Sequence, residues 1–215
     1  MQKNSACLLA VGFILLLDRS PVWAQKYELK LPGGRVDRFN FEGKGVEEWK
    51  VVDGRWSVED SNDAPSGGRV LVQRALENQF NVIVAPGGPY TDVDVSVRFK
   101  PISGKEDASG GIVFRFSEGR YYVVRANALE DNFRLYFSDR SRYQLATARV
   151  KPPALGQWRT LRVVVVTNLI QAYLDGQLLL DHQDSRSKAG QIGLWTKADS
   201  VTAFDDLMIK SYNSK

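Results

Sequence analysis

The chain has 215 residues, 43% hydrophobic and 25% charged, enough to bury a sizeable core without disulfide or metal staples. Its net charge of +4 comes from 29 basic and 25 acidic residues that are scattered rather than bunched, which argues against a nucleic-acid partner. One His and one Cys exclude the usual zinc sites, and a Ser/His/Asp triad would have to use His182.

The N-terminus reads as an export signal over residues 1–24. Lys3 supplies the positive charge, residues 6–17 are apolar, and Val22-Trp23-Ala24 offers a cleavage site. The apolar run is shorter than the ~20 residues a spanning helix needs, so no transmembrane segment is expected in the mature chain. Cleavage after Ala24 leaves one domain over 25–215 without a cysteine, in the periplasm or outside the cell.

The rest shows short runs of Val, Ile, Tyr, Phe and Trp separated by Gly, Pro, Asn and Asp, with almost no helical period. In chain order the predicted strands are 36–41, 49–52, 55–59, 69–74, 81–84, 92–100, 111–116 and 121–127. They continue over 133–138, 143–148, 158–166, 170–174, 177–181, 191–196 and 203–210. Asp53-Gly54 and Asp175-Gly176 each predict a two-residue hairpin. Many short strands with regular turn signals mean an all-β, two-sheet antiparallel fold.

Alternation assigns faces. Over 92–100, Val93, Val95, Val97 and Phe99 fall on one side and Asp94, Ser96 and Arg98 on the other. Later strands repeat the pattern, placing Arg115, Arg125, Asn127 and Tyr136 on polar faces. Arg and Tyr suit a recognition surface better than the Lys, Glu and Thr of a merely wet sheet. At the end of 191–196, Trp195-Thr-Lys-Ala-Asp199 adds a ring that can stack on a sugar, with Lys197 and Asp199 beside it. The expected ligand set is therefore Arg98, Arg115, Arg125, Asn127, Tyr136, Trp195, Lys197 and Asp199.

The ordered series DVDVSVRF from Asp92, GGIVFRF from Gly110, YYVVRANAL from Tyr121, WRTLRV from Trp158, AYLDG from Ala172, GLWTKADS from Gly193 and FDDL from Phe204 resembles the bacterial secreted concanavalin A-like, laminin-G-like jelly rolls. Within them it is similar to the 3-keto-disaccharide hydrolase group, over about 39–210. The resemblance implies a single jelly-roll sandwich with a concave, carbohydrate-handling face. Asp205 and Asp206 of the last motif, with Glu42 near the first strand, resemble a structural calcium arrangement of several sugar-binding jelly rolls, which makes Glu42 and Asp206 candidate calcium ligands.

The chemistry is less specified. Retaining glycosidases of related folds carry Glu-x-Asp-x-(x)-Glu on one strand, and no segment here does. A 3-keto sugar needs only a base and an electrophile for the enolate oxygen. Arg115, Arg125 or Lys197 could be that electrophile, with Asp199, Asp94 or His182 as base. The sequence thus leaves three functions open: glycan recognition, 3-keto-glycoside hydrolysis or elimination, and a laminin-G-type protein contact.

Overall fold

The computed structural model describes residues 28–29, 34–43, 46–76 and 80–212. The expected export signal, 1–24, lies outside the described residues. Fifteen strands are formed, one for each predicted run: β1 (Arg35–Phe39), β2 (Lys50–Asp53), β3 (Trp56–Asp60), β4 (Arg69–Gln73), β5 (Phe80–Val84), β6 (Asp92–Ser103), β7 (Ser109–Ser117) and β8 (Arg120–Asn127). The second half gives β9 (Asn132–Asp139), β10 (Ser141–Arg149), β11 (Arg159–Val166), β12 (Leu169–Leu174), β13 (Gln177–Gln183), β14 (Gln191–Lys197) and β15 (Val201–Tyr212).

They build two antiparallel sheets. The front sheet runs β10-β9-β8-β7-β14-β5-β2. The back sheet runs β13-β12-β11-β6-β15-β4-β3, with β1 also on β15. Val93, Val95, Val97 and Phe99 of β6 pack with Ile112, Phe114, Tyr122, Val124, Phe133 and Leu135 of the front sheet in one core cluster. Each of these side chains is essentially fully buried. Two-sided alternation explains the layering, because each sheet offers one apolar face to the other.

Two expectations need correcting. Asp175-Gly176 does join β12 to β13, and both residues have positive φ (49° and 80°), as a primed turn requires. Asp53-Gly54 does not make a hairpin. It is a corner between sheets, since β2 pairs with β5 in front while β3 pairs with β4 behind. The corner is fixed by the Trp56 indole N–H donating to Asp53 O at 2.9 Å, and the Trp56 ring packs against Phe204.

The second correction concerns β7. Phe114 pairs with Tyr122, but the next registered pair is Ser117 with Arg120, so residues 115 and 116 form a bulge. Arg115 has φ of 53° and turns off the outer face it was expected to share with Arg125. Phe116, which strict alternation from Ile112 and Phe114 would put in the core, takes its place outside and stacks on Tyr121 at 5.9 Å.

The front sheet curls. The Arg142 guanidinium on β10 lies 4.9 Å from the ring centroid of Phe80 on β5. Those strands are five positions apart, about 24 Å in a flat sheet at the usual strand spacing. Two side chains span that gap only if the outer face of the front sheet is concave. Gly111 and Gly193, on the neighbouring strands β7 and β14 opposite Trp195 and Val113, present no side chain of their own to this face.

Candidate functional site

The concave face is built from alternate residues of six strands. Val82 and Phe80 come from β5, Trp195 and Lys197 from β14, Val113 from β7, and Tyr121, Val123 and Arg125 from β8. β9 adds Arg134 and Tyr136, and β10 adds Arg142. Val82, Val84, Val113, Phe116, Tyr121, Val123, Tyr136 and Trp195 form a buried apolar cluster with Phe80 against it. An outer sheet face this apolar departs from the wet alternation usual for antiparallel sheets.

Tyr136 is the centre of the polar part. The Arg142 guanidinium sits over its ring at 4.4 Å, Arg125 approaches the same ring at 6.0 Å, and Arg134 Nη1 donates to its hydroxyl at 3.1 Å. Three guanidinium groups are thus gathered around one aromatic ring. The Glu130 carboxylate answers two of them: it accepts from Arg125 at 2.6 Å and lies 3.8 Å from Arg134. Burial pushes the Glu130 carboxyl up, but the Arg125 bond and both positive charges outweigh it and hold the group below its ordinary value. Arg142 makes no ion pair among the described residues, and neither does Lys50, which lies over Phe116.

Trp195 is on the expected face but is not available to a ligand. It has no exposed surface, because Phe80 stacks on it at 5.7 Å. Its Nε1 is near the Tyr121 hydroxyl, yet lacks an acceptor in hydrogen-bonding geometry. Phe80 and Arg142 therefore take the surface position expected of Trp195. Both fell outside the predicted strands, each by one residue, which is why alternation did not pick them out.

The remaining expected ligands divide by location. Asn127 reaches the end of the concave face, but its Oδ1 accepts from the Ala108 and Leu129 amides and its side chain is fully buried. Lys197 faces Glu106 and Asp107 at 3.5 and 3.8 Å. Both oxygens of Asp199 accept backbone N–H bonds, from Lys105 at 2.6 Å and from Glu106 and Asp107 at 3.0 Å. It clamps the loop before β7 instead of facing the ring cluster. Burial raises its pKa, and the three amides more than reverse that, leaving it below the ordinary aspartate range. A carboxylate depressed in the folded state stabilises at pH values above its unfolded pKa and stops doing so as pH falls through the folded one. Thermal melts below about pH 4 should therefore lose more stability in the native chain than in Asp199→Asn, whose loop lacks that titration.

Arg115 is 2% exposed and lies at one end of the sandwich. It donates to the carbonyls of Ser187 at 2.7 Å, Thr91 at 3.2 Å and Thr167. Desolvation pulls its pKa down, with partial compensation from Tyr122, Asp92 and Asp184. Its role is to tie three loops together. Arg98 is on the outer face of the back sheet, paired with Thr160 and Asp205, so the core separates it from Tyr136.

Glu42 and Asp206, expected to share a calcium ion, do different jobs. Glu42 Oε1 accepts from the Gly68 and Arg69 amides at 2.9 and 2.8 Å. Its neighbour on this loop is Asp205, which accepts from the Ser66 amide at 2.9 Å and is fully buried. Asp206 is exposed and faces a cleft on the back sheet. Among the described residues, no three His, Cys, Asp or Glu side chains group closely enough to hold a metal.

A family model described as the 3-keto-alpha-glucoside-1,2-lyase-like domain matches residues 37–210. The chain belongs to that family. No curated protein matches it. Among solved structures, this lyase-like domain is similar to the carbohydrate-binding module CBM66 from Bacillus subtilis, at 20% identity over 76% of this chain and 95% of that one, with a TM-score of 0.64. It is also similar to the cellulose-induced protein Cip1, at 15% identity over 83% and 98%, TM-score 0.63. Bacillus licheniformis β-glucanase gives 12% identity over 86% and 100%, TM-score 0.57. At these identities the likenesses establish the all-β jelly-roll sandwich and leave activity to the residues.

Proposed function

We propose that this lyase-like domain is an exported carbohydrate-recognition protein that holds a glycan across the concave front face, on Arg134, Arg142 and Phe80, with the buried Tyr136 and Arg125 as the floor that displacement of Arg142 uncovers. The observation carrying this reading is the cluster of three guanidinium groups around Tyr136, partly roofed by an Arg142 that has no ion pair among the described residues. Planar donors beside aromatic faces suit a sugar, whose hydroxyls accept from the forks while its C–H face meets a ring. Arg142 is held mainly by two cation–π contacts, on the order of 1 kcal/mol each at such sites, so a ligand can replace it. The residue 1–24 segment and the carbohydrate-binding neighbour are consistent with work outside the cytoplasm.

Hydrolysis or elimination on a 3-keto-glycoside is the second reading, and the family match favours it. The bases available to it are poorly placed. Asp94 is on the back sheet in a bidentate pair with Arg162, at 2.8 and 3.0 Å. His182 is on β13, the edge of that same back sheet. Asp199 is the loop clamp, and Glu130 is an ion-paired carboxylate weakened as a base. A protein-contact role has less support, because the large exposed apolar side chains, such as Leu76, Leu129, Tyr143 and Leu155, come from different strands and loops.

A glycan array beside a turnover assay on 3-keto and ordinary disaccharides tests the proposal. Binding without turnover is expected, with Tyr136→Ala weakening it at least tenfold. Arg142→Ala, on an edge strand, should change affinity while leaving the melting temperature within about 2 °C, as for surface substitutions generally. Turnover of a 3-keto substrate lost in Glu130→Gln would replace recognition by chemistry.

A further inference from the structure

The back sheet carries a second polar site that the glycan reading does not use. A cleft of about 480 Å³ opens on its outer face between β1, β15, β6 and β11. It exists because β15 bulges. Asp205 pairs with Arg98, but the next registered pair is Met208 with Ser96, and Asp206 in between has φ of 51°. The bulge sends Asp205 inward to the Ser66 loop and Asp206 outward into the cleft. Non-glycine residues at positive φ inside a strand are uncommon and carry a conformational cost.

Among the described residues, Arg38, Arg98 and Asp206 around this cleft form no ion pair. The Arg98 side chain makes no hydrogen bond or ion pair among the described residues, and its Nε is buried without an acceptor. Among the described residues, the Arg38 guanidinium bonds only from Nη1 to the Met208 sulfur at 3.2 Å, a weak acceptor. Among the described residues, the Asp206 carboxylate accepts no hydrogen bond and forms no ion pair, its backbone N–H alone donating to Asp205. Arg162 shows how this face normally settles a guanidinium. It sits beside Ser96, one strand pair away, and is saturated by Asp94, by Glu28 at 2.9 Å and by the Tyr173 ring at 4.8 Å.

A buried N–H without an acceptor costs roughly 1–3 kcal/mol, and a charged one more. That cost falls on Arg98 alone, since Arg38 and Asp206 are exposed to water; with the Ser96 and Thr160 hydroxyls between them, the two guanidinium groups and the carboxylate are complementary to something that supplies an oxyanion and hydroxyls together. We propose that this cleft binds a small anionic sugar, one or two rings bearing a carboxylate or an equivalent oxyanion. Arg98 and Arg38 take the oxyanion, bidentately as guanidinium favours, and Asp206 accepts from a ring hydroxyl. The net excess of one positive charge sets the preference for acid over neutral sugar. A volume near 480 Å³ is in the range of small-molecule sites, whereas a polymer would need an open groove.

The site lies across the core from Tyr136, so it can be tested independently of the front face. Isothermal titration of the full chain with sodium glucuronate, its neutral methyl ester, glucose 6-phosphate, glucose and sodium acetate separates the alternatives. Glucuronate or glucose 6-phosphate, whichever oxyanion fits, should bind at least tenfold more tightly than the ester, glucose and acetate. Arg98→Gln and Arg38→Gln should each weaken that binding at least tenfold, and Arg142→Ala on the front face should not change it. Acetate binding equal to the sugar acid would mean an unspecific anion site and overturn the proposal. So would equal affinity for acid and ester, or binding that survives both variants. Arg38 lies on a solvent-facing strand, so its variant keeps the test valid even where Arg98→Gln disturbs folding.

Discussion

Replacing Arg115 with Ala should destabilise the domain by about 3 kcal/mol or more while leaving glycan affinity in the surviving folded protein unchanged. The side chain is buried, and its three acceptors are backbone carbonyls from the β5–β6, β11–β12 and β13–β14 connections. Truncation leaves those carbonyls without a donor in a site where water enters poorly. It also leaves a void the size of a guanidinium and its stem. At roughly 3 °C per kcal/mol for a domain of this size, the melting temperature should fall by about 10 °C. Arg115→Lys should recover only part of the loss, because one ammonium cannot reproduce the planar fork that reaches three loops. Differential scanning calorimetry and glycan titration of the same preparations check both halves. A large loss of affinity with a normal melting temperature would return Arg115 to the ligand set.

Arg115 also shows where sequence reasoning stops. Alternation is legible only while the ladder keeps its register, and a bulge shifts every later side chain by one. The run GGIVFRF contains no Pro or late Gly to announce one. The extra residue lies in β7 itself, and both neighbours register it: β8 between Phe114 and Ser117, and β14 between Gln191 and Gly193. The two Asp-Gly turns make the same point about pairing. The dipeptide fixes a chain reversal, but whether the flanking strands pair depends on β5, nearly thirty residues further on. Strand existence was local information and all fifteen runs were readable. The concave cluster was only half readable: Arg125 and Tyr136 followed from alternation within their own strands. Phe80 and Arg142 are brought together by the curl of the sheet, which no short window contains.

That curl rests on Gly193, and Gly193→Ala is expected to be the most damaging single change on the front face. A Cβ there would lie 2.4 Å from Ile83 O and 3.2 Å from the Val84 Cα, both backbone atoms of the paired strand β5. Flexible side chains can rotate away from such a contact. A ladder partner cannot, so β14 and β5 must separate or flatten locally. Flattening moves Phe80 away from Arg142 and uncovers Trp195, which ties the strain directly to the proposed binding face. The cost should be comparable to other overpacked core changes, about 1–3 kcal/mol, and larger where the backbone gives least. Gly111→Ala is the matched comparison. Its Cβ would meet Val124 O at 2.8 Å, and its other close contacts are the side chains of Val123 and Arg125, so the neighbours can yield more. Near-ultraviolet circular dichroism, tryptophan fluorescence and glycan titration should report the same order. Gly193→Ala should show a red-shifted, more quenchable Trp signal, a lower melting temperature and at least tenfold weaker binding, with Gly111→Ala intermediate. Normal fluorescence and affinity in Gly193→Ala would mean that the sheet does not depend on this glycine for its curvature, and that the Arg142–Phe80 contact is held by something other than the floor beneath it.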